Sequence, residues 1–208
     1  MTDALSDTQT HGRVLRLPFA PRETPADFPV VRAVQKHWET LRGTRIAPAR
    51  TEIDPKPLAH CLDVMFVAEV VAPGVARLRL AGQQLGDLLG MEPRGMPLSV
   101  FFAAPARPEL AQALAQVCQG ARAVLPLRSD ASLGQPAIEG MLALMPLTDS
   151  DGRITRILGV LESHGPAGRA PRRFRLTAPS RTSLDPAPAS PPTGGQKPRL
   201  RLIQGGKA

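Results

Sequence analysis

Two glycines five positions apart, Gly90 and Gly95, constrain this chain more than any other feature. Gly90 stops a short helix predicted over 82–90, in which Leu85, Leu88 and Leu89 share one side. Gly95 turns the chain again, and Leu98, Phe101 and Phe102 follow as an apolar group. One longer helix comes next: Leu110, Leu114, Val117 and Cys118 mark a single helical face across 105–120.

The flanks of this double turn are strand-like. Val64 to Val71 reads as a buried strand, and Val75-Ala76-Arg77-Leu78-Arg79-Leu80 alternates, with Arg77 and Arg79 on the outer face. Pro73-Gly74 between them signals a hairpin turn. Downstream, 121–128, 137–147 and 154–162 are strand candidates, and Asp149-Ser150-Asp151-Gly152 joins the last two as a hairpin. Upstream, Val30, Val34, Trp38 and Leu41 recur at helical spacing across 30–42, with Pro29 suited to the first turn and Gly43 to the C-cap. Pro48 to Pro57 reads as a loop in which Asp54 caps a turn. The order predicts an α+β fold: a five-stranded antiparallel sheet with helices on one face and an N-terminal cap helix.

Composition locates the charge. The formal net charge is +8, but residues 165–208 carry nine Lys/Arg against Asp185 alone, and residues 1–164 are neutral. A neutral domain argues against a groove built for nucleic acid; a basic tail offers nonspecific, salt-dependent contact with polyanions. The tail also holds eight of the 23 prolines, so 165–208 is expected to be a disordered basic segment, and 1–27 a flexible arm, around a domain of 28–164. Within the tail, Pro198-Arg199-Leu200-Arg201-Leu202-Ile203 alternates and either adds a strand to a sheet edge or remains unpaired. Two isolated cysteines, Cys61 and Cys118, make neither a disulfide framework nor a zinc site. With no apolar run of membrane-spanning length and no signal-peptide pattern, the chain is expected to be soluble and cytoplasmic, without membrane insertion.

The element order, with Gly90-Met91-Glu92 and Gly95 after the first hairpin, resembles the PAS superfamily. More closely, the chain is similar to small single-PAS proteins of alphaproteobacteria. The shared features are the Trp-bearing helix, Pro48-Ala49-Arg50-Thr51-Glu52-Ile53-Asp54-Pro55, the stretch from Ala72 to Gly82, and Arg172-Arg173-Phe174-Arg175-Leu176-Thr177. The resemblance covers about residues 28–177. It implies a non-enzymatic sensory or regulatory module of bacterial signalling that acts by protein contact, for instance on a histidine kinase. It also implies a possible small ligand between the sheet and the short helices. Candidate lining residues there are Leu80, Leu85, Leu89, Met91, Phe101, Phe102, Leu114, Met141, Ala143 and Met145; without polar anchors among them, plain core is the favoured reading.

No catalytic set is visible: no nucleophile elbow, phosphate loop or dinucleotide fingerprint, and no paired carboxylates. Haem would need an axial ligand on the longer helix, which holds no His, and Cys118 there is the kind of residue that packs. The cysteine of a flavin photosensor is missing near Leu88–Glu92. His60-Cys61, read as adjacent on an extended stretch, cannot easily share a metal. No cofactor or metal is therefore assigned. Partner-contact candidates are Trp38, on a helix that packs on its own domain or forms a homodimer face, together with Arg77, Arg79, Arg172, Arg173 and Arg175. The alternative function is a nucleic-acid or anionic-surface binder working through the basic tail.

Overall fold

A computed structural model describes residues 27–183. Helix α1 (Pro29–Arg42) begins with proline in its first turn, where no N–H is needed, and ends at Gly43 at φ 57°. Its buried side chains are Val31, Val34 and Trp38, one helical stripe. A 3-10 stretch, Lys56–Val64, leads into strand β1 (Met65–Ala72), which turns into β2 (Val75–Ala81). Then come α2 (Gln83–Leu89), α3 (Arg107–Val117), β3 (Arg122–Ser129), β4 (Ile138–Thr148) and β5 (Ile154–His164).

The sheet is antiparallel, as the element order predicts, and its five long strands lie in the spatial order β2-β1-β5-β4-β3. Its two faces are both covered. Helices α2 and α3 cover one, around Phe66, Leu78, Leu85, Phe101, Phe102, Leu114 and Leu142. The cap helix α1 and the 3-10 stretch cover the other, around Trp38, Leu58, Cys61, Met145, Leu158 and Val160. We call these the inner and outer faces. A strand buried on both sides needs apolar residues throughout, and β4 is buried or half-buried along its whole length.

Two local features shape the sheet. Phe66 pairs across strands with Gly159, and a Cβ at Gly159 would stand 2.0 Å from the Phe66 ring, so only glycine fits beneath it. In β2 the register slips between the Val67–Leu80 and Ala68–Leu78 pairs, leaving Arg79 as the extra residue of a bulge. Side chains alternate along a strand, so the bulge turns Leu80 to the outer face, beside Val67, instead of the inner face of Ala76 and Leu78.

The segment after β5 corrects one expectation. Residues 165–183 are packed on the domain, not a disordered tail. Phe174 is fully buried in the inner core and Phe174 N–H donates to Phe101 O at 2.8 Å. Short strands β6 (Arg175–Leu176) and β7 (Arg181–Ser183) pair with β3 on either side of Pro126. Ser180 N–H donates to Glu109 Oε1 of α3 at 2.7 Å. Proline and arginine content hid this because a segment that supplies one buried phenylalanine and a few edge pairings needs little apolar sequence of its own. The remainder of the expected tail, including 198–203, and the arm over 1–26 lie outside the described residues.

Candidate functional site

Two places in this architecture have the makings of a site: the interior beneath α2 and α3, and the outer face where α1 leaves the sheet uncovered.

The interior is core. Leu85, Leu89, Phe101, Phe102 and Leu114 converge there and all are buried, with Phe174 inserted among them. The remaining cavity candidates sit elsewhere. Met91 follows the helix-ending Gly90 and is 56% exposed. Met141, Ala143 and Met145 face outward, toward α1, because the inward positions of β4 are Leu142 and Leu144. Leu80 is on the outer face through the Arg79 bulge. Alternation could not place the β4 methionines: both faces of that strand are apolar, so period two gives no sign of which side is which.

On the outer face, α1 rests on β4 and β5. Trp38 is buried, and its Nε1 donates to Pro146 O at 2.9 Å. The guanidinium groups of Arg42 and Arg122 stand 5.5 and 5.8 Å from the Trp38 ring centroid, and Arg122 also pairs with Glu39. Trp38 is therefore an anchor between helix and sheet. It cannot touch a partner while α1 is docked.

The other end of α1 is held differently. Its N-cap, Phe28, has no side-chain acceptor, so Val31 N–H donates instead to the buried Glu162 carboxylate at 2.9 Å. His164 Nε2 lies 3.6 Å from Glu162, and the Phe28 and His164 rings are 4.8 Å apart. From sequence, Glu162 shares a mixed, partly covered face of the last strand with Arg156, Leu158 and Val160, but its contact with α1 was not foreseen. The one signal was its place among apolar residues on β5.

Beyond α1, the β1–β2 end of the outer face is open. Arg77 and Arg79 are exposed there, as the alternation predicts. Arg77 Nη1 donates to Gly95 O at 2.8 Å. Arg79 Nε donates to Glu69 at 2.5 Å, and Arg156 reaches the same carboxylate at 2.8 Å. The Arg79 guanidinium, with Arg156 in support, holds the Glu69 carboxyl below the usual carboxylate range. Between this end and the 3-10 stretch lies a groove of about 490 Å³, lined by Met65, Val67, Leu80, Leu58, Leu62 and Leu158, with Arg50 and Asp63 as its charged residues.

The candidates in the C-terminal segment divide. Arg172 is buried: its backbone N–H donates to Leu88 O at 2.7 Å and its Nη2 to Pro136 O, while Nε and Nη1 have no hydrogen-bond partner among the described residues. Burial lowers its pKa from the usual arginine value. Arg173 is half-buried, and Arg175 pairs with Asp130 at 3.0 Å. His60 and Cys61 sit on the 3-10 stretch, not on a strand; His60 is exposed and Cys61 buried, with its thiol pushed up by burial. Cys118, at the end of α3, is likewise raised by burial. Among the described residues no three His, Cys, Asp or Glu gather as a metal site, and no helix is long and apolar enough to cross a membrane.

A family model described as a PAS domain matches residues 26–162. Among solved structures, the chain is similar to the dark structure of the blue-light photoreceptor Aureochrome1 LOV. The identity is 14%, 67% of this chain and 86% of that one are covered, and the TM-score is 0.41. It is also similar to the light-state structure of the same photoreceptor, at 14% identity, 53% and 88% coverage and a TM-score of 0.38. No curated protein matches the chain.

Proposed function

The chain belongs to the PAS domain family, and we propose that it is a non-enzymatic sensory module that acts by protein contact in bacterial signalling, in the cytoplasm. The observation that carries this reading is the division of the outer face. Helix α1 covers β4 and β5, while the β1–β2 end carries exposed Arg77 and Arg79 beside the exposed apolar side chains of Val71, Val75 and Leu80. A charged and apolar patch on a rigid sheet end is a surface suited to a partner protein such as a histidine kinase. The interior beneath α2 and α3 remains the place for a small ligand, entered by rearrangement of a packed core.

A homodimer through α1 has less support, since Val31, Val34 and Trp38 are spent on the sheet. Polyanion binding through the basic segment also has less support within residues 165–183, where Arg172 is buried and Arg175 is paired with Asp130.

The test is a pull-down from native cells with full-length wild type and with the Arg77→Glu, Arg79→Glu double variant. Loss of a specific signalling protein from the variant, at an unchanged denaturation midpoint, supports the reading. Identical profiles count against it. The absorption spectrum and mass spectrum of the natively purified protein show whether a ligand accompanies it.

A further inference from the structure

We propose that the outer-face groove is a binding site for a small amphiphile: an apolar chain or ring system carrying one carboxylate, with Arg50 receiving the carboxylate. This site lies on the opposite side of the sheet from the core beneath α2 and α3 and goes beyond the partner surface argued above.

Three observations converge on it. The first is shape: about 490 Å³ lies within the range of small-molecule sites. The second is chemistry. Strands β1 and β5 supply Met65, Val67 and Leu158, and the 3-10 stretch supplies Leu58 and Leu62. Leu80 arrives only because the Arg79 bulge reverses its direction. Leu80 is 53% exposed and Leu62 41%, so two leucines face each other's groove while remaining open to water. An apolar ligand would remove that surface from water at roughly 25 cal/mol per Å².

The third is charge. Arg45 and Glu52 pair with each other on the neighbouring loop, with Nη1–Oε1 at 2.6 Å, and Glu52 also accepts from Ala49 N–H at 3.1 Å. That leaves the exposed Arg50 guanidinium with no hydrogen bond or ion pair among the described residues, at the edge of an apolar groove. A guanidinium presents a planar fork of donors that fits a carboxylate with two parallel bonds. Asp63, the other charged residue of the groove, sets the contrary case: were it the dominant group, the preferred head would be a cation.

The experiment is calorimetric titration of the full-length protein with decanoate, decan-1-ol and decylamine, each below its aggregation concentration. The variants are Leu80→Glu, Leu62→Glu and Arg50→Ala, all at exposed positions, each checked by its denaturation midpoint. Expected results are saturable decanoate binding, a loss of about tenfold or more in either glutamate variant, and a loss of about tenfold for decanoate in Arg50→Ala with decan-1-ol unchanged. The proposal is overturned by the absence of decanoate binding. It is equally overturned by binding that neither glutamate variant weakens, which would place the ligand elsewhere, or by tighter binding of decylamine than of decanoate.

Discussion

The buried carboxylate of Glu162, on the last long strand, accepts a 2.9 Å hydrogen bond from the backbone N–H of Val31 in the first turn of α1, 131 positions earlier in the chain. A helix leaves its first N–H groups without intrahelical acceptors, and this one is served by tertiary structure in place of a local cap. The cap helix and the sheet are therefore coupled at one end by Glu162 and at the other by Trp38 Nε1 on Pro146 O.

Glu162→Leu keeps the volume and removes the acceptor. It should destabilise the domain by about 1–3 kcal/mol, the cost of leaving a buried donor unpaired. Hydrogen exchange resolved by residue should show faster exchange through the first turns of α1, with β3 and α3 little changed.

Phe174 tests whether the segment after β5 belongs to the domain. Phe174→Ala should cost about 3–5 kcal/mol, as for other fully buried aromatics. Truncation after His164 should lower the denaturation midpoint sharply, because it removes Phe174 and the partners of β3.

Arg172 makes an opposite kind of prediction. It is a buried cation whose side chain meets one carbonyl and no carboxylate among the described residues. Replacing a poorly compensated buried charge with an apolar side chain of similar length is often neutral or stabilising. Arg172→Met should therefore hold or raise the thermal midpoint, whereas Arg172→Ala should lower it by leaving a void.

Most of the framework was legible in the sequence because its signals are local and redundant. Gly90 and Gly95, the Pro73-Gly74 turn and the Asp149–Gly152 turn each mark a break that a backbone must obey, and the intervening runs have clear periods. What was hidden depends on partners distant in sequence. The Arg79 bulge inserts one residue into a clean alternation, so Leu80 looked inward and faces outward. Met141 and Met145 were placed in the inner cavity but face outward, on a strand whose two equally apolar faces give alternation nothing to choose between. The 165–183 segment has the composition of a linker, yet its burial rests on Phe174, Arg172 and backbone pairing with β3. The candidate site was legible only in part: Arg77 and Arg79 were placed outward correctly, but the groove beside them was not foreseen.

Glu52 gives a pH prediction. Its side chain accepts from Arg45 and from Ala49 N–H, and these bonds hold its pKa down to about 2. A carboxylate whose folded pKa lies below its unfolded value contributes stability that is fully present above the unfolded pKa. That contribution is lost as pH falls through the folded value. The difference in denaturation midpoint between wild type and Glu52→Gln should be constant above about pH 5.5, more than a unit above the unfolded carboxylate value. It should shrink on acidification and vanish near the folded value of about 2. Measuring both proteins by denaturant titration across this range checks the sign and the window.

The central claim is that this domain signals through the β1–β2 end of its outer face. Site-specific photo-crosslinking in native cells tests it most directly, with the reactive group at position 77 in one protein and at the exposed Leu133 in another. The account predicts that position 77 captures a defined signalling protein that position 133 does not. The same background pattern from both positions would contradict it.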